Sequence, residues 1–397
     1  MFIGLFGKPS VGKSTFFKAA TLAEVEIANY PFTTLKPQEG VAYVKIECLD
    51  KEFNAQCQPR TGFCIQHKRF IPIKLTDIPG LIEGSAEGFG RGNEFLADIA
   101  PADALIHIID ASGSTNEKGE SVKPLSHDPC KDVKFLEREL DMWYFGIMKK
   151  GWDKFARTVQ QENQNIKKAL SKQLSSLKVT EKIVEDVIKK LNLTHHPLEW
   201  SETDLKNIAS ELRKSTKPMI IAANKIDVEG SKYNLDRLQE QFPEYKIFPC
   251  SADSELALRE AAKHNLIEYV PGENNFKIIS EKLTDNQKKA LDFIKVKILD
   301  IYGSTGVQNI LDYIVFNLLK YMAIYPGGVG NLKDSSGRVM PDCYLLPENS
   351  TALDFAFKLH TDLGNNFIKA IDVKNKRAVG KEYKLKHRDS IEIITKK

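Results

Sequence analysis

No apolar run in this chain is long enough to span a bilayer, so no membrane-crossing helix is expected. Cysteine is sparse, six residues in 397, and scattered, which excludes a small disulfide-stapled fold and points to the reducing cytoplasm. A strong excess of either charge is also missing. The 57 Lys and Arg against 53 Asp and Glu leave a formal charge of +4, too little to argue for a polyanionic partner. No basic stretch precedes the apolar residues Phe2 to Phe6, which read as a strand and not as a secretion signal. What remains, 42% hydrophobic and 28% charged residues, is the composition of a folded globular protein, and the length predicts about two to three domains.

The most informative stretch is Gly7-Lys8-Pro9-Ser10-Val11-Gly12-Lys13-Ser14-Thr15. It follows a short apolar run and precedes apolar residues at helical spacing, the context of strand, loop and helix that a phosphate-binding loop requires. Gly7, Pro9, Ser10, Val11, Gly12, Lys13, Ser14 and Thr15 are therefore expected to bind nucleotide. Gly7 and Gly12 permit a tight turn that aims backbone N–H groups at an anion, helped by the helix dipole. Lys13 would reach the β- and γ-phosphates, and the Ser14 hydroxyl would coordinate Mg²⁺.

A second strand, Ile71 to Leu75, leads into Asp77-Ile78-Pro79-Gly80. This D-x-x-G pattern predicts that Asp77 holds Mg²⁺ through water and that the Gly80 N–H senses the γ-phosphate. The segment from Leu81 to Asn93 carries Gly84, Gly88, Gly90 and Gly92, which suits either a nucleotide-dependent switch or a plain surface loop. Ala104 to Asp110 is a further buried strand, in which His107 reads as a core residue. From about Pro129 to Lys217 helical periodicity replaces the sheet pattern. Ile166, Ala169, Leu170, Leu174 and Leu177, then Ile183, Val187, Ile188 and Leu191, form apolar stripes separated by a break at Val179-Thr180-Glu181, predicting a helical hairpin.

The sheet pattern then resumes. One strand ends in Asn224-Lys225-Ile226-Asp227 and the next in Cys250-Ser251-Ala252-Asp253, in the order expected of two base-recognition loops. An Asp227 carboxylate can accept from both N1–H and the 2-amino group of guanine, whereas adenine offers neither donor and would leave it unpaired. Asn224 would brace the loops, the stem of Lys225 would cover the ring, and Ser251 and Ala252 would line the base, with the Ala252 N–H donating to O6. GTP or GDP with Mg²⁺ is the expected ligand.

With these motifs in hand, the chain resembles the Obg-like GTPases of the archaeal and eukaryotic branch near YchF, over essentially its whole length. The residues that carry the resemblance are Gly7 to Thr15, Asn29-Tyr30-Pro31-Phe32-Thr33-Thr34 and Asp77 to Gly84. It implies that Thr34, with Thr33 as the other choice, is the switch threonine that contacts Mg²⁺, so that Lys13, Thr34 and Gly80 serve hydrolysis while Ser14, Thr34 and Asp77 hold the metal. The tail from Leu346 to Gly364 with Asp389 to Ile394 is similar to a TGS domain, a ubiquitin-like β-grasp module. Ser350 or Thr351 is expected to cap its helix, whose apolar face would be Leu353, Ala356, Phe357 and Leu359.

The resemblance implies an α/β fold: a P-loop GTPase domain with a mostly parallel sheet, an inserted helical (coiled-coil hairpin) domain, and a C-terminal β-grasp TGS domain. Expected boundaries are 1–128 and 218–272 for the GTPase domain, 129–217 for the insertion, 273–320 for a closing helical segment, and 321–397 for the TGS domain. It also implies a ribosome or RNA partner, reached through the insertion and the TGS domain. On charge alone, the basic tail that includes Lys374, Lys376, Arg377, Lys381, Lys384, Lys386 and Arg388 reads equally as a phosphate-tracking surface or as a solvated lysine-rich one. Leu81 stands where Ras-like enzymes have the glutamine that orients water, so slow intrinsic hydrolysis is expected. Ser10 stands where potassium-assisted relatives have asparagine. A nucleotide sensor with little hydrolysis, or an ATP-preferring enzyme, are the alternatives. Cys48, Cys57, Cys64 and His67 crowd one stretch, but they lack close Cys-x-x-Cys pairs, so a zinc knuckle is the lesser reading.

Overall fold

A computed structural model of the chain describes residues 1–22, 38–78 and 98–396. Its central sheet takes strands from sequence runs that are apolar on both faces, as a sheet covered on both sides requires. In spatial order these are β2 (Glu39–Glu47), β4 (Lys68–Asp77), β1 (Phe2–Phe6), β5 (Ala104–Asp110), β6 (Met219–Asn224) and β7 (Ile247–Pro249), with the short β3 (Phe63–Ile65) on the open side of β4. β4, β1, β5, β6 and β7 are mutually parallel, and β2 is antiparallel to β4. All seven residues of β5 are buried. Because the parallel strands end on one edge, the loops after β1, β4, β6 and β7 meet there.

The helices are α1 (Lys13–Thr21), α2 (Pro129–Lys149), α3 (Trp152–Gln161), α4 (Ile166–Gln173), α5 (Glu181–Lys190), α6 (Glu202–Thr216), α7 (Ser231–Gln241) and α8 (Ala252–Lys263). Helices α2 to α6 form the insertion around their own core, where Trp152 stacks on Trp200 with ring centroids 5.6 Å apart. The expected hairpin is α4 and α5 within this group, and Thr180 caps α5 by accepting from the Ile183 N–H. The Lys217 ammonium at the exit donates to the carbonyls of Ala100 and Ala102 at 2.6 and 2.7 Å, fastening the insertion to the sheet.

The stretch expected to be wholly helical from 273 begins differently. β8 (Ile267–Tyr269) and β9 (Phe276–Ile278) form an antiparallel hairpin, and regular helix starts only at α9 (Asp285–Ile294), followed by α10 (Val307–Tyr313). Three residues of alternation in Phe276-Lys277-Ile278 are too short a pattern to show against the helical run behind them.

The C-terminal sheet runs β11 (Tyr344–Pro347), β10 (Tyr321–Pro326), β14 (Ser390–Thr395), β12 (Phe367–Asp372), β13 (Arg377–Val379), with the central β10 and β14 parallel. Helix α11 (Ala352–Leu359) lies on it, capped by Thr351 in a capping box with Asp354. The apolar face expected for α11 needs correction. Phe355 is buried and Phe357 is 46% exposed, because the helix starts at Ala352 and its phase places 352, 355 and 356 inward.

Candidate functional site

The loop between β1 and α1 crosses the C-terminal edge of the sheet at close quarters. A Cβ on Gly7 would lie 2.5 Å from the Ile108 carbonyl oxygen, and one on Gly12, at φ +92, would lie 2.2 Å from Asn224 Nδ2. Glycine is required at both positions by contact, and at Gly12 by conformation as well. Ser10 adopts a left-handed φ of 62, Val11 is buried in the core, and Pro9 abuts Gly119 of the loop after β5. At the first turn of α1, Lys13 Nζ sits 2.7 Å from Asp77 Oδ1 and Ser14 Oγ donates to Asp77 Oδ2 at 3.0 Å. The last residue of β4 thus meets the first two of α1. Thr15 follows on the same helix.

At the end of β6, Asn224 joins two loops through one side chain. Its Nδ2 donates to the Val11 carbonyl at 2.8 Å, and its Oδ1 accepts from the Ala252 N–H at 3.0 Å. Asp227 Oδ1 accepts from Ser251 Oγ at 2.7 Å, while Ser251 also caps α8. Lys225, at φ 59, directs Nζ to Asp110 Oδ2 at 2.9 Å. Burial pushes the Asp110 carboxyl up, but donation from Ser112, Thr115 and Lys225 outweighs it and holds the group below the usual carboxylate range. The structure therefore gathers Lys13, Ser14, Asp77, Asn224, Lys225, Asp227, Ser251 and Ala252 along one sheet edge. Thr33, Thr34, Gly80, Leu81 and the glycine-rich segment to Asn93 lie outside the described residues.

Several supports of this edge were not read from the sequence. Lys8 is buried and pairs with Asp132 at 2.8 Å while donating to the Thr115 carbonyl at 2.7 Å, so it ties the phosphate-loop region to the loop after β5. The Ser251 N–H donates to the Thr305 carbonyl at 2.9 Å, which gives the Tyr302-to-Gly306 turn a role in holding the last loop. An acidic residue at the end of β5 was the available signal for Asp110. Lys8 and Thr305 carry none. His107 is buried, stacked on Phe6, and held neutral by burial, with its pKa pushed down to about 3. His360 accepts from the Asp362 N–H and caps the short helix α12 (Thr361–Asn365), a structural role.

A loop closed on a helix N-terminus, an acidic strand end facing it, and an Asn-Lys-x-Asp turn beside them define a P-loop nucleotide-binding protein. Comparison with known proteins sharpens this. Residues 2–136 match the model described as 50S ribosome-binding GTPase, residues 222–328 the Obg-like GTPase YGR210-like, G4 motif-containing domain, and residues 330–395 the TGS domain. A GTP-binding protein of Methanocaldococcus jannaschii is 46% identical over 395 residues, covering 99% of this chain and 98% of that protein. The ribosome-binding ATPase YchF of Buchnera aphidicola from Acyrthosiphon pisum is 25% identical, covering 94% of this chain and 88% of that one. The crystal structure of a GTP-binding protein from Pyrococcus horikoshii aligns over the whole of both chains with 39% identity and a TM-score of 0.78. The chain belongs to the Obg-like GTPases, in the group related to YchF. No helix among the described residues is long and apolar enough to cross a membrane.

Proposed function

We propose that this protein is a GTP-selective, slowly hydrolysing switch that acts on the ribosome in the cytoplasm. The observation that carries the reading is the position of the Asp227 carboxylate. It stands on the loop that Asn224 fastens to the phosphate loop, with the Ala252 N–H held by the same Asn224 side chain. In the bound state Asp227 accepts the N1–H and 2-amino protons of guanine, and the Ala252 N–H exchanges Asn224 Oδ1 for guanine O6. The backbone of Pro9 to Thr15 and the Lys13 ammonium receive the phosphates.

The Ser14 hydroxyl and the Asp77 carboxylate, 3.0 Å apart, are hard oxygen donors suited to Mg²⁺, with Thr34 as the third group. When bound, the ion neutralises charge on the β- and γ-phosphates. During hydrolysis Lys13 stabilises charge that develops on the phosphoryl oxygens, and the Gly80 N–H donates to the γ-phosphate. Leu81 has no group to orient water, so the attacking water is placed by another group or by a partner.

The ribosome assignment is supported by the name that the Buchnera relative carries and by the exposed cations of the C-terminal domain. Lys374 and Arg388 turn inward to pair with Glu52 at 3.0 and 2.5 Å, whereas Lys376, Arg377, Lys381 and Lys386 remain exposed for phosphates. That relative's name also states ATPase, so base preference is tested first. ATP and GTP compete against a fluorescent guanine nucleotide, and GTP turnover is measured with and without ribosomes. GTP should win by at least about 100-fold, and ribosomes should accelerate turnover. Equal competition by ATP would overturn GTP selectivity, and fast turnover by the isolated protein would overturn the switch.

A further inference from the structure

The segment between β2 and β4 carries a cluster with no part in the nucleotide site. Cys48 follows β2, Cys57 lies in the loop, Cys64 is in β3, and Asp50 opens the intervening turn. One ligand atom from each of Cys48, Asp50, Cys57 and Cys64 lies within 4.8 Å of all the others. Cys48 Sγ and Cys57 Sγ are 3.5 Å apart, too far for a disulfide. That is close to the edge of about 3.8 Å of a tetrahedron built on Zn–S bonds. Cys48, Asp50 and Cys57 are buried and Cys64 is partly so.

We infer that these four residues form a structural zinc site, with three thiolates and one carboxylate as ligands. The donor chemistry favours a soft tetrahedral cation over Mg²⁺ or Ca²⁺, which seek all-oxygen sets. Asp50 is already oriented. His67 Nδ1 lies 2.9 Å from its Oδ1 and the Cys57 N–H donates to its Oδ2 at 3.0 Å, the kind of outer support that metal-bound carboxylates receive. His67 is thus a positioning residue rather than the fourth ligand that its place in the sequence suggested.

The surroundings give the site a purpose. Arg69, buried beside the cluster, donates to the carbonyls of Met340 and Pro341 at 3.2 and 2.7 Å. The backbone N–H groups of Gln58 and Arg60 donate to the carbonyls of Val339 and Pro341 at 2.8 and 2.9 Å, and the Tyr325 hydroxyl lies 3.9 Å from Cys48 Sγ. The cysteine loop is therefore the surface on which the C-terminal domain seats against the nucleotide domain. A metal there would fix a loop that otherwise has only short elements to hold it.

The test is metal content of the full chain, purified without chelator and reconstituted with zinc alone, then with cobalt alone. About one zinc per chain is expected. Cobalt should give thiolate charge-transfer absorption and the strong visible bands of tetrahedral coordination. Cys64→Ser and Asp50→Ala should lose most of the bound zinc, Cys130→Ser, remote from the cluster, should keep it, and His67→Ala should weaken it roughly 10-fold in chelator competition. Circular dichroism checks that each variant folds. The inference fails if the folded wild-type chain takes up less than about a tenth of an equivalent, if Cys64→Ser binds as well as wild type, or if thiol titration finds the cluster oxidised and metal-free. None of these readings depends on nucleotide preference.

Discussion

Two cation and carboxylate pairs sit at opposite ends of α1, Lys13 with Asp77 at its start and Arg259 with Glu255 beside Leu22 at its end, and they differ in one respect. Lys13 and Asp77 face the open sheet edge with side chains 13% and 18% exposed. Arg259 and Glu255 are sealed, 5% and 0% exposed, and surrounded by further partners. Arg259 Nε donates to Glu255 at 2.6 Å, its Nη2 to Gln308 Oε1 at 3.2 Å and its Nη1 to the Leu22 carbonyl at 3.3 Å; the Tyr269 hydroxyl donates to Glu255 at 2.8 Å, and the Thr305 hydroxyl donates to it as well. Gln308 continues the network to Asp312, whose carboxyl is pushed up to about 7 by burial. The open pair can exchange a carboxylate for a phosphate oxygen at little structural cost. Exchange at the sealed pair would leave buried groups without partners.

The sharpest break of this comparison is Arg259→Met. It leaves the Glu255 charge buried without its cation, which should cost about 3–5 kcal/mol of unfolding free energy. Urea denaturation monitored by far-ultraviolet circular dichroism measures it. Because Arg259 touches no part of the base or phosphate loops, the folded variant should keep the wild-type ratio of GTP to ATP affinity. A stable Arg259→Met protein would show that the sealed network is not a scaffold.

Next in size is Lys13→Ala, which removes the open pair. Nucleotide affinity should fall roughly 100-fold, near 3 kcal/mol, as a charge-assisted contact to phosphate is lost. The unfolding midpoint of the nucleotide-free chain should move little, since Asp77 is solvent-accessible and keeps Ser14. Fluorescence titration with a labelled guanine nucleotide and thermal melting of the apo protein separate the two quantities. A large stability loss with unchanged affinity would reverse the roles assigned to the two pairs.

The same contrast explains what could be read in advance. Positions whose chemistry is imposed by a ligand form short patterns in one stretch, as from Gly7 to Thr15 or Asn224 to Asp227, and they stand out without any structure. Strands buried on both faces, such as β5 and β6, were likewise plain. The sealed network was not, because Arg259, Gln308, Tyr269 and Thr305 come from separate elements and none is unusual in its local context. The choice of Phe355 over Phe357 in α11 depended on where the cap falls, a matter of one residue. The cysteine cluster was half visible: its members were named, yet the fourth partner, Asp50, lies at a spacing that no linear motif records.

The smallest expected effect concerns a buried group that belongs to neither pair. His107 lies in β5, opposite Phe6 in the parallel register, and neither ring nitrogen has a hydrogen-bond partner among the described residues. Burial lowers its pKa from the model-peptide value of 6.5 to about 3. Between those values the unfolded chain binds a proton that the folded chain refuses. Stability from this group is therefore complete above pH 6.5 and is lost as the pH falls toward 3. From pH 7 to pH 5 the loss amounts to about 2 kcal/mol. His107→Phe keeps the ring stacked on Phe6 and removes the proton site, so its stability should decline less over that interval by the same amount. Denaturant titrations of both proteins at the two pH values measure it directly. Parallel declines would mean that His107 protonates in the folded chain, and hence that the strand between the phosphate loop and the Asn224 loop admits water.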